Sequence, residues 1–146
     1  MGLKKKFILS ITGIIFFLGL ITIYFINIKQ TEYLSRELRE KGISITKHLA
    51  NDAIDPILTK NIVSLHTLAT NSVKIENDVQ YVFFVSQTGA VLTHSFEKGF
   101  PTGLKGINVP LPDHSYSSLQ LNTEDGYISD IAVPIFNNLG TVHIGM

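Results

Sequence analysis

Residues 79–95, with the sequence VQYVFFVSQTGAVLTHS, decide the fold of the chain, because they predict a β-hairpin. The first seven residues form a near-continuous run rich in aromatic and β-branched side chains, which is typical of a central strand covered on both faces. Residues 86–89 have the composition of a turn, and residues 90–95 return as the partner strand. The hairpin therefore predicts a sheet that other elements cover.

Two helices are predicted before the hairpin. An amphipathic stalk helix over residues 29–58 should end near Pro56, because a proline restricts the residue before it. The apolar side chains of this helix recur at helical spacing at Leu34, Leu38, Ile45 and Leu49. This stripe fits either packing on the following domain or a parallel homodimer, and too few heptads are present for the periodicity to decide between them. We expect a homodimer through this helix. A second helix, capped by Thr59 or Asn61, should end near residues 76–78.

Three strands are predicted after the hairpin. Residues 96–114 hold three prolines and three glycines without periodicity, which predicts a long loop of the kind that often binds ligands. Strands over residues 116–121, 127–135 and 141–146 follow, with a turn at residues 124–126. The order of the elements predicts an α+β fold with five strands.

Residues 7–28 carry no charged side chain and follow three lysines. As a helix they would be roughly 33 Å long, enough to cross a hydrocarbon core of about 30 Å. A cleavable signal peptide is the competing interpretation, but the run exceeds the usual apolar region of about 7 to 15 residues and has no small-x-small cleavage site. We expect a membrane span with a short cytoplasmic tail, since long domains are translocated largely regardless of their charge.

Composition excludes several functions. The chain has no cysteine, which excludes disulfides, thiolate nucleophiles and zinc–thiolate sites. All twelve acidic residues lie after the apolar run, so we expect no nucleic-acid partner. The five histidines show no metal-ligand spacing, and the chain has no nucleophile elbow, P-loop or paired-carboxylate signature. We expect no metal, no cofactor and no catalysis within this chain.

Several short motifs occur in a fixed order along the second half of the chain. The hairpin ends with Thr-His-Ser at residues 93–95, the loop contains Gly-Phe-Pro at residues 99–101, and the last strands read IAVPI at residues 131–135 and GTVHIG at residues 140–145. This order resembles the extracytoplasmic PAS-like sensors of bacterial membrane receptors, often called single Cache domains, over residues 31–146. The resemblance implies a five-stranded antiparallel sheet with the helices on one face and a ligand pocket under the loop on the other.

Such domains usually belong to histidine kinases, diguanylate cyclases or chemoreceptors, and the resemblance favours a histidine kinase. We expect the chain to be the sensor portion of a longer receptor in the cell (inner) membrane, whose kinase or cyclase module lies elsewhere. On this interpretation residues 1–28 are the cytoplasmic tail and anchor, residues 29–58 are the stalk, and residues 59–146 are the periplasmic sensor domain.

His94 is the first candidate for ligand contact, because in citrate-type members of the family the histidine at the matching position faces the ligand. The competing interpretation is a histidine that caps the strand end or bonds the loop backbone. Val91 stands where citrate sensors carry a basic residue, so we expect a smaller or less charged ligand, such as a small carboxylate or an amino acid.

Further candidates could line a partly aromatic pocket, and they are Tyr81, Phe83, Phe100, Tyr116, Tyr127 and Asp130. Core packing is the competing explanation for the aromatic residues. Strand alternation places Asp130 on the side of Ile128 and Ala132, where it faces either a pocket or solvent.

Two structural alternatives compete with the sensor hypothesis. A pilin-like subunit also joins an apolar N-terminal helix to a long amphipathic helix and an antiparallel sheet. The apolar run here, however, has no acidic residue near its start and no Gly-Phe processing site before it. A ligand-free dimerisation module would have the same sheet, with its pocket filled by its own side chains. Ligand binding separates the sensor from both alternatives.

Overall fold

The computed structural model describes residues 2–123 and 126–146, without the side chains of residue 3 and residues 27–34. The chain divides into two compact units, Met1–Glu37 and Leu38–Met146. The first two residues of the predicted turn at residues 124–126 lie outside the described part. Leu34 of the predicted stalk stripe is likewise a side chain that the structure does not describe.

Helix α1 (Leu3–Asp52) contains the whole apolar run. Within it, Lys4–Ile26 has a mean hydropathy of 2.4, and none of the residues in its apolar window is buried. Phe7, Phe16 and Tyr24 illustrate this, since 69%, 70% and 66% of their surfaces are exposed. By its length and composition this helix could cross a membrane, as the sequence predicted.

Helix α1 ends earlier than predicted. It stops at Asp52, and the short helix α2 (Ile54–Leu58) follows with Pro56 in its first turn. A proline inside a helix clashes with the carbonyl four residues earlier, which here is Asp52, whereas a first turn tolerates it. The prediction that the stalk helix ends near Pro56 was therefore wrong by four residues. The ring of Pro56, which lies in α2, therefore determines where α1 ends.

Helix α3 (Ile62–Ile75) begins where the sequence allowed two caps. The Asn61 side chain accepts a hydrogen bond from the Ser64 backbone N–H at 3.1 Å, so Asn61 rather than Thr59 is the cap. At its other end, Lys41 of α1 reaches both acidic residues that follow the helix. The Lys41 Nζ lies 2.9 Å from Glu76 and 2.8 Å from Asp78.

The sheet has five antiparallel strands, in agreement with the predicted fold class. The strands are β1 (Tyr81–Ser86), β2 (Val91–His94), β3 (Ser117–Thr123), β4 (Gly126–Ile135) and β5 (Gly140–Gly145). Their spatial order is β2-β1-β5-β4-β3, so the last strand lies in the middle. β1 was predicted to be a central strand covered on both faces. It is covered on both faces, since Tyr81 to Phe84 are all at most 4% exposed, but it lies next to the edge strand β2.

One face of the sheet packs on the helices. Val82 and Phe84 of β1 lie in one buried cluster with side chains from all three inner strands and from the helices. The strands also contribute Ile131, Val133, Ile135, Val142 and Ile144, and the helices and their junctions contribute Ile43, Leu49, Ala50, Ala53, Leu65 and Ala69. Ile45 is half-buried against this cluster. Part of the predicted stalk stripe, Ile45 and Leu49, therefore packs on the domain.

Gly42 marks a close approach between α1 and the sheet. A side-chain carbon at this position would overlap with the ends of Ile131 on β4 and Met146 after β5. We expect Gly42→Val to lower the free energy of unfolding by about 1 to 3 kcal/mol, because overpacking forces neighbouring side chains and backbone to shift. Chemical denaturation of the full chain in detergent micelles would measure this loss.

Ser44→Val provides the matched control, since Ser44 is exposed on the same helix. It should change the free energy of unfolding by less than about 0.5 kcal/mol. An equal effect of the two substitutions would contradict the close contact at Gly42.

Candidate functional site

The face of the sheet opposite the helices, called here the outer face, carries the candidate site. Because side chains alternate along a strand, Tyr81 and Phe83 point away from the core that Val82 and Phe84 enter. Asp130 and His143 likewise alternate with core residues of β4 and β5. The loop between β2 and β3, residues 95–116, contributes Asn108, Phe96 and Phe100 to contacts on this face.

Asp130 is the centre of a buried hydrogen-bond network. Its side chain is 1% exposed, and its carboxylate accepts from three side chains on different elements. The Tyr81 hydroxyl donates to Oδ2 at 2.7 Å, the Asn108 Nδ2 donates to Oδ1 at 2.7 Å, and the His143 Nδ1 lies 3.1 Å from Oδ1. Asn108 also donates to the Asp130 main-chain oxygen at 2.9 Å. The network thus joins three strands and fastens the loop to the sheet.

Gly145 explains how Tyr81 reaches Asp130 across the intervening strand. In the register of the sheet, Tyr81 on β1 lies opposite Gly145 on β5, and Gly145 lies opposite Asp130 on β4. A side-chain carbon at Gly145 would overlap with the Tyr81 ring. The missing side chain leaves the space through which the phenol passes over β5.

Burial, together with the neighbouring Asp130 carboxylate, raises the pKa of Tyr81. Because the folded state holds this proton more tightly than the unfolded state, Tyr81 contributes stability that is complete below about pH 10 and is lost above it. We expect Tyr81 to ionise only when the domain unfolds. Tyrosinate absorbance recorded during an alkaline titration would show this late step.

Tyr81→Phe should remove the late step, whereas Tyr127→Phe, at a position that is 71% exposed, should leave that step in place. If the late step persisted in Tyr81→Phe, its assignment to the buried phenol would be wrong.

An aromatic cluster fills the part of the outer face near β2. Phe83 stacks on His143 with ring centroids 4.3 Å apart and an interplanar angle of 11°, and it meets Phe100 edge-on at 5.0 Å. Phe96 contacts Tyr81, Phe100 and His94, with centroids 5.1 to 5.9 Å apart. The Nδ1 of His94 is buried among these rings without a hydrogen-bond partner.

A cavity of about 850 Å³ lies beyond this cluster, between the loop and the outer face. The sheet contributes Val85, Pro134, Thr141 and His143, and the loop contributes Lys105, Gly106 and the segment Val109 to Pro112. Lys105 and His143 are the ionisable side chains of its described lining, which includes no acidic residue. A concave site with an apolar wall and few polar groups is the usual form of a small-molecule site.

A smaller cleft of about 390 Å³ lies at the β2 edge. His94, Phe100, Thr93 and His66 help to line it, and the His66 Nδ1 lies 3.1 Å from the Thr93 hydroxyl. Within residues 2–123 and 126–146, no group of three or more histidine or acidic side chains could hold a metal ion.

The structure brings together five of the seven residues predicted to bind ligand. Tyr81, Phe83, His94, Phe100 and Asp130 share the outer face, although none of them lines the larger cavity. His94 and Phe100 line the small cleft instead.

The other two predicted residues lie elsewhere. Tyr116 packs against the helix-side core. It comes directly before β3, and strand alternation points its side chain to the face opposite Ser117, which is the helix side. Tyr127 is 71% exposed near the start of β4.

Sequence reasoning missed Lys105, Asn108 and His143. Lys105 and Asn108 belong to a loop without periodicity, where no pattern indicates which side chains turn inward. The position of His143 could have been predicted, because a single histidine between Val142 and Ile144 places its imidazole on the face opposite the core.

Comparison with known proteins identifies one family. The family model described as single Cache domain 3 matches residues 29–146. No curated protein matches the chain.

Proposed function

The chain belongs to the single Cache domain 3 family, and we propose that its cavity binds a small anionic molecule whose presence a membrane-anchored receptor reports. Single Cache domains are extracytoplasmic modules that sense small molecules for signalling receptors. The sensor hypothesis agrees with this membership. The pilin-like alternative has no support from it.

The charge of the cavity lining is the observation that carries the proposal. Lys105 and His143 face the same space of about 850 Å³, and no acidic side chain of the described residues lines it. A cation in a site with apolar walls favours an anionic group on the ligand. A small carboxylate, free or as part of an amino acid, meets this requirement. His94 was predicted to contact the ligand, and we propose that Lys105 and His143 contact it instead.

We propose that α1 carries the ligand state towards the membrane. The same helix contains the apolar segment Lys4–Ile26 and the residues Ile43 and Leu49 of the domain core. A side-chain carbon at Gly42 would overlap with the end of Ile131, the residue next to Asp130 on β4. If ligand binding displaced β4, the movement would therefore be transmitted to α1 directly through Ile131. The ligand must bind the two states with different affinities for such a shift to occur.

The finer proposals concern the whole receptor. We propose that the anchor lies in the inner membrane with the sensor domain in the periplasm, and that the receptor is a homodimer joined through α1. A histidine kinase is the favoured output, with a diguanylate cyclase or chemoreceptor as alternatives. This chain would itself carry no catalytic activity.

A thermal-shift screen tests the proposed ligand class. The full chain in detergent micelles would be heated with small carboxylates, amino acids and amines, one at a time. A ligand at one hundred times its dissociation constant should stabilise the domain by about 2.7 kcal/mol. We expect compounds with a carboxylate to stabilise the protein and simple amines to have no effect.

Two variants locate the effect. Lys105→Ala should abolish most of the stabilisation, whereas Lys98→Ala should leave it unchanged, because Lys98 is an exposed loop lysine outside the cavity lining. Stabilisation by amines alone, or by carboxylates equally in both variants, would contradict the proposal. A ligand-free module would show no stabilisation by any compound.

A further inference from the structure

The His143 ring has two nitrogens in different surroundings. Its Nδ1 lies 3.1 Å from the Asp130 Oδ1, while its Nε2 has no hydrogen-bond partner among the described residues. Among the buried and half-buried side chains described, His94 Nδ1 is the one nitrogen or oxygen that is closed off from solvent without a partner. The Nε2 of His143 is therefore not closed off from solvent. His143 also lines the cavity, which Asp130 does not.

Asp130 restricts which nitrogen carries the proton. An ionised carboxylate only accepts hydrogen bonds, so its imidazole partner must donate from Nδ1. In a neutral imidazole the other nitrogen is then an acceptor. The stacked ring of Phe83 fixes the plane of the imidazole, and Tyr81 and Asn108 hold the carboxylate in place from the other sides.

We propose that Asp130 is a positioning residue, which holds the proton of His143 on Nδ1 and so presents Nε2 to the cavity as a hydrogen-bond acceptor. This inference rests on the proposed function, since it assigns His143 a role in ligand selection. Lys105 only donates, and His143 in this tautomer accepts. The pair selects a ligand that carries a hydrogen-bond donor, such as a hydroxyl or an ammonium group, beside its anionic group.

The first test needs no ligand. Two-bond proton–nitrogen NMR correlations of the full chain in detergent micelles report the tautomer of each histidine. The spectra would be recorded about two pH units above the ordinary histidine pKa of about 6.5. We expect His143 to carry its proton on Nδ1. In Asp130→Leu, which lacks the acceptor, the proton should move to Nε2, while the signals of exposed His48 and His114 stay unchanged.

A wild-type His143 with its proton on Nε2, or on both nitrogens, would overturn the inference. This result does not depend on whether Asp130→Leu folds, and it would leave the proposed ligand site intact. A purely structural role of Asp130 would likewise leave the tautomer of His143 unchanged in any folded Asp130→Leu protein.

The second test compares three compounds that share one carbon skeleton. Propionate has no donor, lactate adds a hydroxyl, and alanine adds an ammonium group. One hydrogen bond should give lactate or alanine an affinity about three- to tenfold higher than that of propionate. The preference should disappear in His143→Phe, which keeps a flat ring on Phe83. Equal effects of the three compounds on the wild type, including no effect at all, would overturn the selection of a donor.

The two proposals fail differently. If none of the carboxylates, amino acids or amines of the broader screen stabilises the chain, the sensor function is contradicted, whatever the tautomer of His143. If carboxylates stabilise the chain through Lys105 but His143 donates from Nε2, only the role of Asp130 is contradicted.

Discussion

Replacing Phe84 with alanine should lower the free energy of unfolding by about 3 to 5 kcal/mol, the usual cost of removing a buried aromatic ring. Phe84 is 0% exposed and points from β1 into the cluster that joins the sheet to the helices. Its strand lies between β2 and the central strand β5, so nearby side chains have little freedom to fill the space. Urea denaturation of the full chain in detergent micelles, followed by circular dichroism, would measure the change.

Val63→Ala is the control, because Val63 on α3 is 78% exposed. Its effect should stay within about 0.5 kcal/mol. A loss below about 1 kcal/mol for Phe84→Ala would count heavily against the burial of β1 under the helices.

Replacing Asp130 with alanine should lower the free energy of unfolding by about 3 to 5 kcal/mol as well, for a different reason. The side chain occupies little volume, but its loss leaves the Tyr81 hydroxyl, the Asn108 amide and the His143 Nδ1 without their common acceptor. Buried donors without partners lose their hydration without compensation. Loop residues 95–116 should also exchange their amide protons faster, because Asn108 fastens the loop to β4.

Asp113→Ala is the matched control, since Asp113 is an exposed acidic residue in the same loop. It should leave both stability and amide exchange close to those of the wild type. If Asp130→Ala destabilised the domain no more than Asp113→Ala, the buried network would not exist in solution.

The sequence predicted the strands well, because their side chains follow a period of two. The run around Phe83 and Phe84 predicted a strand covered on both faces. The alternation around Asp130 predicted a side chain that faces a pocket or solvent, whereas the structure buries it in a hydrogen-bond network outside the larger cavity. The helix caps were less certain, since Thr59 and Asn61 offer the same chemistry two residues apart. The end of α1 at Asp52 follows from the ring of Pro56, which acts four residues upstream.

The hydrogen-bond network could not be predicted in the same way. Tyr81 and Asp130 meet only because β5, the last strand of the chain, lies between their strands and carries Gly145 at the crossing point. Local patterns do not give this strand order. His143 similarly contacts residues of β1 and β4 that are far away in sequence.

The position of the cavity depended on the loop, which sequence patterns describe least. Phe100 was predicted to line a ligand pocket, and it packs on Phe96 and Phe83 beside the small cleft rather than in the larger cavity. The open space lies further along the sheet, under Lys105 and the prolines that follow it. Five of the seven predicted residues therefore share the outer face without lining the cavity.

The most direct test of the ligand site is a map of where a ligand binds. Amide NMR spectra of the full chain in detergent micelles would be recorded during titration with the compound that stabilises it most. We expect the largest shift changes at residues 85–89, 105–112 and 138–143, which surround Lys105 and His143. Changes centred on the cleft of His66 and His94, or no changes with any carboxylate or amino acid, would contradict the assignment of this cavity as the sensing site.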